Sequence, residues 1–167
     1  MNILGTAILA LATLGVISAA LGQSSTHKTG TPTNLAAAPV DRLDLVIIKY
    51  GRGGRVDEHT LRFADYRLKK TRVELRGPCL SACTIVLAYV GPELLCVAPD
   101  GYMAFHAVRS MENRELMPLE TKFLYSIYPQ RVRDWIDRNG GWQKLPLDGF
   151  WTMHSGELWA MGYPKCL

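Results

Sequence analysis

The stretch that most limits how this chain can fold is Arg76-Gly77-Pro78-Cys79-Leu80-Ser81-Ala82-Cys83-Thr84. Thr71-Arg72-Val73-Glu74-Leu75 leads into it. Val73 and Leu75 fall on one side and Arg72 and Glu74 on the other, which is the alternation of a strand. Gly77-Pro78 should then break that strand. From Ala82 to Val90 the chain is apolar nearly all round, as a buried helix would be. Ser81 is therefore expected where a strand turns into a buried helix. A hydroxyl there lies beside unpaired backbone N–H groups and the positive end of a helix dipole. Such a setting can hold an oxyanion next to a nucleophile. The simpler alternative is that Ser81 only caps the helix, since serine is among the best N-cap residues.

A chain of 167 residues is one domain, or one domain plus a leader. The net charge of +4 is modest, and Arg and Lys are scattered with no basic run interleaved with aromatics. This points away from nucleic acid and toward a slightly basic solvated surface. Met1 to Gly22 carry no charged side chain, and Ile3 to Leu21 is almost continuously apolar. Residues 1–22 read as a secretory signal peptide with cleavage after Gly22, although Lys and Arg are missing from its start. The run is also long enough for an uncleaved membrane anchor, which would be the chain's only membrane contact. No cysteine follows it, which excludes a bacterial lipoprotein. Residues 23–40, rich in Ser, Thr, Gly, Pro and Ala, read as a flexible linker. The folded domain is expected over 41–167.

Leu43 to Tyr50, with its β-branched centre, predicts a largely buried strand. Gly51-Arg52-Gly53-Gly54 follows, a loop that permits positive φ and close backbone approach. It lacks the ending of a nucleotide P-loop. Asp57 to Lys70 is helical by spacing, with Leu61, Ala64 and Leu68 on the inner face. Leu94 to Ala98 and Tyr102 to His106 predict two more strands. Leu119 to Ile127 and Pro129 to Arg138 predict helices, the second stopped by Gly140-Gly141. Ser155 to Met161 predicts a last short helix. Trp135, Trp142, Trp151 and Trp159 are expected in core packing.

The order is strand, Gly loop, helix, strand, Ser turn, helix, strand, strand, His. Alternating strands and helices predict an α/β fold, a mostly parallel sheet of repeated β-α units with helices packed around it. Ligands of such sheets bind beyond the carboxyl ends of the strands. The Gly51–Gly54 loop, Ser81 and His106 all fall at such ends. His27 lies in the linker, His59 at a helix start, and His154 near the last helix.

Residues Leu45 to about Gly162 resemble the ClpP/crotonase superfamily, in particular the proteolytic subunit of Clp proteases and its exported single-domain relatives. The resemblance rests on three ordered segments. They are Ile47-Ile48-Lys49-Tyr50-Gly51-Arg52-Gly53-Gly54, Gly77-Pro78-Cys79-Leu80-Ser81-Ala82, and Ala98-Pro99-Asp100-Gly101-Tyr102-Met103-Ala104-Phe105-His106. It implies Ser81 as nucleophile, His106 as general base, and the Gly54 and Ala82 amides as oxyanion hole. Asp148 is the best match to the acidic third member, with Glu157 as fallback and a Ser–His dyad as the alternative. The segment between His106 and Asp148 lacks the Gly-Gln pattern and length of the ClpP handle. No double ring and no ATPase partner are therefore implied. A Ser–Lys site would need a buried lysine, and Lys144 sits among polar and Gly residues.

Four cysteines, Cys79, Cys83, Cys96 and Cys166, allow three full pairings. In an exported chain disulfides are expected. Cys79 and Cys83 straddle the Ser81 turn, and at least one is expected to pair with Cys96 or Cys166. Zinc is disfavoured by the spacing and the scattered histidines. A Cys79 or Cys83 nucleophile would need a free thiol.

The sequence thus predicts an exported, periplasmic or cell-envelope serine hydrolase acting on peptides or proteins, without cofactor or metal, with homo-oligomerisation open. Two other functions compete with it. One is a non-catalytic envelope protein that uses the same cleft for binding. The other is a coenzyme A enzyme of the crotonase type, which needs no serine nucleophile.

Overall fold

A computed structural model describes residues 44–167. The leader and linker readings lie outside the described residues. Among the described residues no helix is long and apolar enough to cross a membrane.

The chain runs β1 (Leu45–Ile48), α1 (Val56–Leu68), β2 (Arg72–Leu75) and β3 (Pro78–Leu80). A 3-10 turn (Ser81–Ile85) then leads into α2 (Val86–Tyr89). Next come β4 (Leu95–Val97), β5 (Tyr102–Phe105), α3 (Pro118–Ile127) and α4 (Gln130–Arg138). A 3-10 turn (Trp142–Lys144), β6 (Trp151–His154) and α5 (Ser155–Ala160) complete it.

The strands form two small sheets, where the sequence predicts one. β1-β2-β4 is parallel throughout, with Val46 opposite Val73 and Ile48 opposite Leu75. β3-β5-β6 is mixed, with β3 parallel and β6 antiparallel to β5. The division follows from the residues before Ser81. Gly77-Pro78 ends β2, as expected, but the chain resumes at once as β3 in the other sheet. Proline suits the first residue of a strand because it has no N–H to leave unpaired. Gly77 is required where β2 passes into β3, since a Cβ there would lie 2.1 Å from the Lys49 carbonyl oxygen. β6 was not legible in the sequence. Its four residues follow a Gly149 turn and carry no clear alternation.

The core is shared by both sheets and the helices behind them. Leu75, Ile85, Leu87, Leu95, Met103, Ile136, Met153 and Leu158 are fully buried in it. Val132, Trp135 and Ile136 bury the expected face of α4. The inner face of α1 is rotated from the predicted one. His59 and Phe63 are buried, and Leu61 and Leu68 are 72% and 82% exposed. The rings of His59, Phe63 and Tyr66 pack along one side, His59 tilted against Phe63 and Phe63 edge to face with Tyr66. On α3, Thr121 and Leu124 turn inward and Leu119 and Phe123 outward.

Cys79 pairs with Cys83, and Cys96 with Cys166, which corrects the expected crossing of the two pairs. The turn at Ser81 brings the Cys79 and Cys83 Cα atoms to 5.2 Å, inside the range a disulfide needs. The second bridge ties β4 to the C-terminal tail, where Lys165 pairs with Val97. Both fit an oxidising compartment. Replacing Cys79 and Cys83 together with alanine is expected to cost about 2 kcal/mol of stability from loop entropy alone. Chemical denaturation of the oxidised protein measures it.

Candidate active site

The predicted continuous helix after Ser81 is instead a 3-10 turn that passes into a short α2. Ser81 itself sits at φ +56°, one of three non-glycine residues with positive φ among those described. That conformation costs a non-glycine residue about 1–3 kcal/mol and persists only where the surroundings enforce it. Several contacts enforce it here. Gly51 N–H donates to the Pro78 carbonyl and Leu80 N–H to the Gly51 carbonyl, each at 2.7 Å. The Thr84 hydroxyl donates to the Ser81 carbonyl at 2.7 Å and also meets the buried Tyr128 hydroxyl at 2.6 Å. Burial pushes the Tyr128 phenol up to about 12, so it stays a neutral hydrogen-bonding group. The Cys79–Cys83 bridge spans the turn. Strand, strained serine and helical turn together form a sharp elbow.

The helix-cap alternative for Ser81 is not what the side chain does. No side-chain hydrogen bond caps this turn. The Ser81 Oγ lies 2.6 Å from His106 Nε2. His106 follows β5, and β5 pairs with β3, so the pairing of Leu80 with Ala104 brings the two ends together. The Phe150 ring packs edge-on against the imidazole at 5.2 Å between centroids. Burial lowers the His106 pKa below its ordinary value, and the nearby Arg109 charge lowers it further. Backbone hydrogen bonding at Ala107 and the Asp148 charge act weakly the other way. The imidazole is therefore neutral at neutral pH. With its proton on Nδ1, Nε2 accepts from the Ser81 hydroxyl.

The Gly loop lies against the elbow. Gly53, at φ +81°, approaches so closely that a Cβ would stand 2.6 Å from the Ser81 Cβ and 2.7 Å from the Leu80 carbonyl oxygen. Gly54 follows at φ +133°, and both Gly54 and Ala82 line the cleft that holds Ser81 and His106. That cleft is about 580 Å³, with Leu124, Tyr128 and Met117 among its apolar walls.

The remaining predicted residues separate. Asp148 makes no hydrogen bond to His106. Its exposed carboxylate meets Arg109 at 3.5 Å and Arg114 at 3.4 Å. Glu157 accepts from the Trp135 indole N–H at 2.5 Å and from the His154 backbone N–H at 2.8 Å, which fixes the start of α5. Lys144 and His154 are exposed and outside the cleft lining. Asp148→Asn is expected to leave the reactivity of Ser81 within about threefold, where loss of a hydrogen-bonded third member costs about 10⁴. Rate constants for a serine-directed probe measure the difference.

Phe150, Arg109 and Gly53 were not singled out from the sequence. Gly53 carried a signal in the Gly-Arg-Gly-Gly run, but only the packing shows which glycine meets the serine. Among the described residues no three His, Cys, Asp or Glu side chains gather as a metal site requires. No protein-family model matches this chain, and neither a curated protein nor a solved structure matches it.

Proposed function

We propose that this chain is an exported serine hydrolase of the ClpP/crotonase type that cleaves peptide bonds through a Ser81–His106 dyad. The observation that carries the reading is the 2.6 Å contact between Ser81 Oγ and His106 Nε2 at a strained elbow inside a cleft. His106 takes the Ser81 proton as Oγ attacks the substrate carbonyl. The amides of Gly54 and Ala82 stabilise the oxyanion of the tetrahedral intermediate. His106 then donates the proton to the leaving amine, and water attacks the acyl-enzyme by the same route. Phe150, edge-on against the ring at 5.2 Å, orients the imidazole in place of a carboxylate. The disulfides support an oxidising destination.

Labelling of the purified, oxidised protein by a fluorophosphonate, with Ser81→Ala beside it, tests the reading. Wild type is expected to label and Ser81→Ala to show none. The rate should fall as the pH drops, because protonated His106 cannot accept the serine proton. Its half-maximal pH should lie below the 6.5 of an unperturbed imidazole, since burial and Arg109 depress the pKa. A folded wild type that does not label would turn the reading to the binding protein.

A further inference from the structure

The charged groups that line the cleft are unequal. Arg55 is exposed and already paired with Asp57 at 2.6 Å. Glu112 and Glu120 are exposed. Arg52 is exposed, with its guanidinium carbon 6.0 Å from the centroid of the Tyr50 ring. Arg109 is the cleft's half-buried charge, its side chain 35% exposed. The least hydrated charge in the cleft is therefore positive.

Arg109 is also held in place yet poorly satisfied. Its backbone is fixed in a small hairpin. Arg109 bridges Leu116, Met117 N–H donates to the Val108 carbonyl at 2.8 Å, and Ser110 N–H donates to the Glu115 carbonyl at 2.8 Å. Its guanidinium has one acidic contact among the described residues, the 3.5 Å approach to Asp148. That distance is beyond an ordinary N–H···O bond. The same Asp148 oxygen is shared with Arg114, and its side chain is 82% exposed, so solvent screens it. A guanidinium offers five donors in a planar fork suited to a carboxylate, and most of that capacity is unused here.

The position of Arg109 adds a chemical argument. Its charge is felt at His106, where it disfavours the imidazolium. A hydrolase that turns His106 into an imidazolium in each acylation step is hindered by that cation. An anion delivered with the substrate would remove the hindrance only when the correct substrate is bound, which is differential stabilisation of the reacting state.

We infer that Arg109 is a specificity-determining residue that anchors a carboxylate of the substrate, so that the site selects acyl compounds bearing a negative charge close to the reacting carbonyl. This rests on the serine hydrolase reading. The carboxylate comes either from an acidic side chain or from a chain terminus.

The test uses two alkyl fluorophosphonates of equal length, one ending in a carboxylate and the other in the matching carboxamide. On the full oxidised protein at low salt, the carboxylate probe is expected to inactivate at least tenfold faster. The ratio should shrink as ionic strength rises. It should collapse toward one in Arg109→Met and be partly kept in Arg109→Lys. A wild-type ratio near one overturns the inference while the hydrolase reading stands, and so does a ratio that survives in Arg109→Met. Failure of both probes to label wild type overturns the hydrolase reading and this inference with it. The wild-type ratio and its salt dependence need no variant to fold. Three otherwise identical peptides separate the two sources. One has a free C-terminus and glutamine, one an amidated terminus and glutamate, and one an amidated terminus and glutamine. Faster cleavage of the first assigns the terminus, and faster cleavage of the second the side chain. Equal cleavage of all three overturns the inference.

Discussion

Replacing His106 with alanine is expected to slow the reaction of Ser81 with a fluorophosphonate by about 10²–10⁴-fold, the usual worth of a positioned general base. This corresponds to roughly 3–5 kcal/mol of barrier. The size follows from the local geometry. Ser81 Oγ has its 2.6 Å contact with Nε2, and the hydroxyl has no capping bond to fall back on. Without the imidazole, the serine keeps its strained backbone and loses its proton acceptor. His106 is half-buried and follows β5, whose own residues are held by β3 and β6, so the fold should survive the change. Second-order rate constants, read beside a thermal melt, separate lost activation from lost structure. A His106→Ala protein that reacts within a few-fold of wild type would show that Ser81 is not activated by this histidine.

Gly53→Ala is the second large effect. The added methyl would meet the Ser81 Cβ at 2.6 Å and the Leu80 carbonyl oxygen at 2.7 Å, on a backbone at φ +81°. Neither neighbour is the end of a flexible side chain. The loop must retreat from the elbow, or the elbow from the loop. A shift of about 1 Å between reacting groups can cost about 10²-fold in rate. The strain and clash add about 1–3 kcal/mol of destabilisation, which lowers Tm by several degrees in a domain of this size. Gly140→Ala is the matched control. It carries positive φ as well, at +121°, but its Cβ would meet the Lys144 side chain and not the elbow. It should lose stability and keep its reactivity. Equal loss of labelling in both variants would mean that the Gly53 contact has no special link to Ser81.

The candidate site was only partly legible in the sequence. Ser81, His106 and the Gly loop could be chosen from the sequence because each falls at the carboxyl end of a strand. Local signals are strong there: alternation before the turn, glycine within it and an apolar run after it. The positive φ of Ser81 had no such signal, since serine ordinarily avoids it. It is imposed by Thr84, by the Cys79–Cys83 bridge and by hydrogen bonds from the Gly51 region. Phe150 beside His106 depends on a contact between residues far apart in the chain.

Local periodicity and turn chemistry, read along the chain, placed most elements and set the serine and the histidine at the carboxyl ends of strands. Those signals act over a few residues, and they survive whatever the rest of the chain does. Tertiary packing decided the rest. It divided the strands between two sheets, turned α1 so that His59 and Phe63 face inward, and joined Cys79 to Cys83. It also set Asp148 on arginines, with no hydrogen bond to the imidazole. Each of these outcomes compares alternatives of nearly equal local cost, such as two faces of one helix or three pairings of four cysteines. Only the burial and contacts of the assembled fold separate them.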